Sequence, residues 1–219
     1  MAATPFVLGL VVVTLSLQLA TLASSANCSY DGVAALRSDA VQASFNPQWM
    51  DGLWYEHSYE DVAQAGASCQ TLTSLYNNST GQIVSQFTVK YGQTPFTIVE
   101  KYDTVEGQPK GVYRKSVDAP FGIPGGHLIG LKTAVIDAKQ GTSTLQYESL
   151  ILYSCVAFVQ ELVFFSRRPT IDESELADMI KFAASQGVDV AADSLQRVNH
   201  TGCDSHTVSE PLVLSPLLV

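Results

Sequence analysis

Eight short runs of strand-type sequence follow one another between residues 53 and 167, separated by turn residues and never by a helical pattern. They read LWYEHSYEDV, CQTLTSLY, QIVSQFTVKY, PFTIVEKYDTV, GVYRKSV, HLIGLKTAVID, QYESLILYSC and AFVQELVFFSR. The third alternates most clearly: Ile83, Ser85, Phe87, Val89 and Tyr91 share one face, and Val84, Gln86, Thr88 and Lys90 the other. A period of two places one face of an antiparallel strand on a core and the other in water. In the fourth run Phe96, Ile98 and Tyr102 fall on one side. A meander of eight strands leaves two open edges, and pairing the first strand with the last removes both. The expected fold is therefore all-β, an eight-stranded antiparallel up-and-down barrel. Such a barrel has an interior just wide enough to hold one small ligand.

A helix is expected only after the strands, over about residues 171–186. PTIDESELADMIKFAASQG offers Thr170 as N-cap, with Glu173 three residues on at capping-box spacing. Asp172, Glu173 and Glu175 stand where the helix dipole favours negative charge. Leu176, Met179, Ile180 and Ala183 form one apolar stripe, for which the outside of the barrel is the economical partner, and Gly187 is a natural stop.

Residues 1–26 carry no charged side chain, have an apolar middle and end on the small residues Ser24 and Ala26. That pattern predicts a secretory signal peptide; an uncleaved anchor is the alternative, since Phe6 to Ala23 approaches the length of a membrane span. The mature chain is then residues 27–219, one domain with its barrel at about 50–168, the helix and a C-terminal tail. The net charge of −9, with no cluster of Lys or Arg, disfavours nucleic acid and anionic membranes as partners. Four cysteines in an exported chain imply two disulfides, with three pairings open. Sequons begin at Asn27, Asn77, Asn78 and Asn199, and adjacent Asn77 and Asn78 cannot both carry glycans.

The ligand contacts expected from strand parity are Ile83, Phe87, Val89, Tyr91, Phe96, Ile98 and Tyr102, with Ile129 and Leu131 from the sixth run. Some of them pack against one another near the closed end, because parity does not give depth. Glu100 shares the parity of Phe96 and Tyr102 and is a candidate polar anchor in the cup, unless a bulge turns it to solvent. The stretch DAPFGIPGGHLIG is either a lid at the mouth or an ordinary connection. His57, His127, His200 and His206 are dispersed and read as surface residues, so no metal site is expected. The apolar tail EPLVLSPLLV suits an added strand or a partner-binding patch. No nucleophile elbow, His-Glu-x-x-His, phosphate loop or dinucleotide fingerprint is present, so no catalytic residue and no cofactor is assigned.

GLWYE (Gly52 to Glu56) resembles the Gly-x-Trp signature of the lipocalins. YESLILYSC looks like their seventh strand, and FFSRRPTIDESELADMIKFAASQGVD like the end of their eighth, its Arg-x-Pro exit and the C-terminal helix. The cysteine spacing is similar to that of the apolipoprotein D and bilin-binding branch. Where that family carries Thr-Asp-Tyr before the seventh strand, this chain has Thr-Leu-Gln at 144–146. The resemblance implies disulfides Cys28–Cys155 and Cys69–Cys203. It also implies a barrel floor in which Arg167, rather than Arg168, lies over the ring of Trp54, with Gly52 leaving room for the turn. It further implies a secreted, non-covalent carrier of a small hydrophobic ligand such as a lipid, sterol, retinoid, carotenoid or bilin. A lipocalin-type isomerase or de-epoxidase and a secreted partner-binding protein are the alternatives. A receptor or homodimer is left open.

Overall fold

Strand β1 (Gly52–Glu60) carries the closure of the sheet, because its two edges are shared among three partners. On one edge it pairs antiparallel with β2 (Ala67–Asn77), from Gly52–Ser74 to Tyr55–Thr71. On the other it pairs with β8 (Val159–Ser166), from Tyr55–Ser166 to Glu60–Leu162. Between these run β3 (Gln82–Tyr91), β4 (Thr94–Thr104), β5 (Val112–Asp118), β6 (Leu131–Gln140) and β7 (Tyr147–Val156), each bonded to its sequence neighbours. The result is a closed eight-stranded barrel. This computed structural model describes residues 28–118, 130–142, 145–157, 159–190 and 193–203. The expected signal peptide, nearly all of the DAPFGIPGGHLIG stretch with Ile129 and His127, Thr144, and the tail with His206 lie outside the described residues.

Above Tyr55, β2 and β1 part, and a ninth strand takes the vacated edge. β9 (Gln196–Arg197) pairs with Tyr59 and Ser58. The Val198 amide donates to the His57 carbonyl, and the Cys69 amide donates to that of Asn199. Cys69 lies in a bulge of β2 with φ of 60°. Its disulfide to Cys203 fixes the tail to that strand, while Cys28–Cys155 fixes the N-terminal segment to β7.

Alternation sorts the apolar residues into two cores. The inner one joins Trp54, Leu72, Ile83, Phe87, Tyr113, Val135, Leu152 and Val163 across the barrel. The outer one sets Ala134, Ile136, Ile151 and Phe164 against Leu176, Met179 and Ala183 of α3 (Glu173–Ser185). Thr170 is not the cap of this helix. Asp172 holds that position without a side-chain hydrogen bond, and Glu173 and Glu175 pair instead with Arg197 and Arg168. The acidic turn is spent on ion pairs to the tail and to the exit of β8, which moves the helix start past the sequence signal.

Two short helices, α1 (Tyr30–Ala35) and α2 (Asp39–Ser44), and a 3-10 turn at Pro47–Met50 precede the barrel and are not foreseen by periodicity. Side-chain oxygens of Ser29, Ser38 and Asn46 accept from the amides of Gly32, Val41 and Gln48 and start each of them. Opening the Cys69–Cys203 loop in a Cys69→Ser/Cys203→Ser variant is expected to lower stability by about 2–4 kcal/mol in denaturant unfolding. Limited proteolysis of that variant should nick the tail around residues 193–203, which stays protected in the parent.

Candidate binding site in the barrel

One end of the barrel is sealed. The Arg167 guanidinium lies 3.6 Å from the centroid of the Trp54 ring, which is wholly buried. Its Nε donates to the Tyr147 carbonyl at 3.0 Å, Nη1 to Leu53 at 2.9 Å, and Nη2 to Asp51 at 2.8 Å and Trp49 at 3.2 Å. Four backbone acceptors on the underside of the barrel thus converge on one planar cation, a role Lys cannot copy. Burial lowers the Arg167 pKa to about 10, with nearby Asp51 opposing the shift. Gly52 has φ of +100°, and a Cβ there would stand 3.3 Å from Arg167 Nη1. Trp54 Nε1 donates to the Met50 carbonyl, and Phe45 and Trp49 close over Tyr147 by stacking and edge contacts at 5.6 and 5.4 Å. Arg168 points away, paired with Glu175.

The inward residues divide by depth. Ile83, Phe87, Val89 and Tyr102 are buried members of the inner core. Phe96 and Ile98 are half-buried, Tyr91 is 40% exposed, and Leu131 is half-exposed at the start of β6. Tyr91 and Phe96 meet edge to face, and the Tyr91 hydroxyl donates to the Ala63 carbonyl of the β1–β2 loop. Access to apolar side chains therefore increases toward the end opposite Trp54.

Every strand contributes a polar residue to the inner wall. Ser74, Ser85 and Glu100 are direct cross-strand neighbours on β2, β3 and β4, and Thr133, Ser154 and Glu161 are the same on β6, β7 and β8. Lys115 of β5 joins the two rows, with Nζ 2.8 Å from both Glu100 and Glu161. Ser74 bonds Ser85, Thr133 bonds Ser154, and the Tyr102 hydroxyl donates to Glu100 at 2.5 Å. Burial alone would lower the Lys115 pKa, but the carboxylates of Glu100 and Glu161 hold it well above the ordinary value. Glu100 is buried within the barrel and ion-paired, so no bulge turns it to solvent.

The eighth member is Glu56 on β1, one inward step above Trp54. It is 0% exposed, and neither carboxylate oxygen has a hydrogen-bond partner among the described residues. Burial, then Glu161 and Glu100, push its pKa well above the ordinary value. Sequence reading missed Glu56, Lys115, Thr133, Ser154 and Glu161. Their inward parity was the available signal, but the polar residues on different strands meet only through register.

His57 corrects the surface reading of the histidines. It is the extra residue of a bulge between Glu56 and Ser58, only 8% exposed, with Nε2 2.8 Å from Ser166 Oγ and the ring of His200 5.8 Å away. The His200 Nε2 bonds the Glu56 carbonyl. Asn78 and Asn199 are exposed and Asn77 is half-buried at the end of β2. All four cysteines are in disulfides, so no thiol faces the barrel. Among the described residues no three His, Cys, Asp or Glu side chains converge as metal ligands, and no helix is long and apolar enough to cross a membrane.

No family model matches this sequence, and no curated protein does. Solved structures do match. An apocrustacyanin C1 superposes with a TM-score of 0.57 at 13% identity, over 80% of this chain and 87% of its own. Lobster apocrustacyanin A1 gives 0.55 at 15% identity over the same shares. Insecticyanin from the tobacco hornworm Manduca sexta gives 0.52 at 11% identity, over 72% of this chain and 82% of that one. The fold is the lipocalin fold. In this lipocalin barrel the mouth is the end bearing Tyr91, Phe96 and Leu131.

Two measurements test the floor and the bulge. Arg167→Ala removes the ring cover and strips four carbonyls of a donor, so a loss of about 3 kcal/mol in unfolding free energy is expected. Arg167→Lys should recover little of it. His57 has its pKa lowered from 6.5 to about 4, by burial first and His200 next. It is neutral in the fold and takes up a proton on unfolding between those values, so stability falls as pH drops through that window. His57→Gln should lose less stability than the parent between pH 7 and pH 5.

Proposed function

We propose that this protein is an extracellular carrier that holds a small hydrophobic molecule non-covalently in the upper half of its barrel. The observation that carries the reading is a closed barrel sealed at one end by Trp54 and Arg167, with apolar inward residues becoming accessible toward the other. Apolar surface withdrawn from water in such a cup supplies the driving force, and a preformed wall avoids the cost of ordering it. Ligand contacts fall on Tyr91, Phe96, Ile98 and Leu131, with Ile83, Phe87, Val89 and Tyr102 as the packed base beneath them. Export is supported by the leader pattern of residues 1–26 and by two disulfides, which persist in oxidising compartments. Asn78 and Asn199 are the sequons placed for glycan attachment.

Protein secreted from eukaryotic cells is expected to begin at Asn27 and to lose mass on glycosidase treatment. Native mass spectrometry of that material should show a bound small molecule that leaves on denaturation. Placing a charge at the mouth with Ile98→Arg should weaken its retention at least tenfold while leaving the fold intact by circular dichroism. A preparation that carries no bound mass and takes up no environment-sensitive apolar dye would overturn the carrier reading.

A further inference from the structure

We propose that the ligand of this barrel carries a protonated amine on its apolar body, and that Glu56 receives it. This deepens the carrier reading and rests on it. Among the described residues the inner wall holds three glutamates, Glu56, Glu100 and Glu161, against one lysine. Lys115 is shared between two of them, so the third is left without a counter-charge. Buried carboxylates without partners are rare because each forfeits its hydration with nothing in return. Both oxygens of Glu56 stand in that condition, and so does Oε1 of Gln70, which is also fully buried.

The two orphaned groups are placed together by the topology. β1 and β2 are paired up to Tyr55–Thr71, and Glu56 and Gln70 are the next residues on each strand, on the inward parity of Trp54 and Leu72. At this point the strands part. That register puts side by side on the two strands a set of acceptors lacking donors among the described residues: two carboxylate oxygens and one amide oxygen. The Gln70 amide nitrogen is held 3.3 Å from Gln64 Oε1, so Gln70 presents only its oxygen. A primary ammonium has three N–H donors and one positive charge, which answers both deficits at once. A carboxylate or phosphate would add acceptors and negative charge beside three glutamates, and a plain hydrocarbon would leave every one of these acceptors unsatisfied.

The approach has the same sign. Asp61 and Glu60 stand at the mouth end of β1, and with Asp189 they border a depression of about 770 Å³ beside the rim. The groups that bear on Glu56 are Glu161, Glu100, Lys115 and Asp61. Burial raises the pKa of this carboxyl, and an ammonium seated beside it favours the ionised form, any proton it carried going to solvent.

The test compares n-octylamine, n-octanol and octanoate by calorimetry on the full secreted protein. The amine should bind about ten- to a hundredfold tighter than the alcohol, and octanoate weakest. Amine affinity should rise with pH, since the ion pair requires the ionised carboxyl. In Glu56→Gln, checked for folding by near-ultraviolet circular dichroism, the amine should fall to the level of the alcohol and lose its pH dependence. If the alcohol binds as well as the amine, or Glu56→Gln leaves the amine preference in place, the inference fails while the carrier reading stands. If none of the three binds, both fail. The comparison on the unmodified protein decides the matter even where the variant does not fold.

Discussion

The division of labour along β1 is the constraint from which the rest of the architecture follows. A strand has two edges, and here they serve β8, β2 and β9. Because β8 and β2 are both bonded to it, the meander has no free edge and an inside distinct from its outside. Because β2 leaves at Tyr55, the upper half of the same edge must be covered by something else, and the tail residues Gln196–Asn199 do so. The Cys69–Cys203 bond then acts at the place where the hydrogen-bonded seam is thinnest. Closure, the tail strand and that disulfide are one solution to a single shortage of partners.

Closure also decides what the polar residues of the inner wall cost. Charges within a barrel cannot be hydrated at will, and several kcal/mol are lost for each ion taken from water. Lys115 offsets this for Glu100 and Glu161 by direct contact with both, and the Ser74–Ser85 and Thr133–Ser154 pairs satisfy their own hydroxyls. Glu56 has no such compensation. Burial, with Glu161 and Glu100 nearby, raises its pKa well above the ordinary value instead, as expected of an unpaired buried acid. An inner wall of hydrocarbon alone would have been simpler to stabilise, which supports the proposed role of these residues in recognition.

Parity was legible in the sequence because it needs only a period of two. QIVSQFTVKY names its inner face at sight, and eight such runs with short connections require a closed sheet. The resemblance around Gly52, Trp54 and Arg167 supplied the arrangement of the sealed end, which periodicity by itself does not contain. Depth was not legible. Tyr91 and Ile83 have the same parity, yet one is 40% exposed at the rim and the other wholly buried near the floor. Partnership was equally hidden: Glu100 and Lys115 meet because of the register between β4 and β5, which the turn between them sets. His57 escaped because one extra residue in a bulge reverses the expected face, and Thr170 because tertiary ion pairs outbid a local cap.

Burial of the inner wall is unequal along the barrel. Toward the closed end Ile83, Leu72, Leu150, Phe165 and the Trp54 ring are all buried members of one inner core. On the carrier reading proposed above, a guest would lie toward the aromatic pair Tyr91 and Phe96, the accessible end of the inner wall. Such a guest would have its apolar part against the rim and its leading end toward Glu56 and Lys115. The charge there, more than the apolar wall, would then discriminate among molecules of similar size, since apolar burial scales with area and is indifferent to head group. On that reading selectivity would reside on β1, the strand that also closes the barrel.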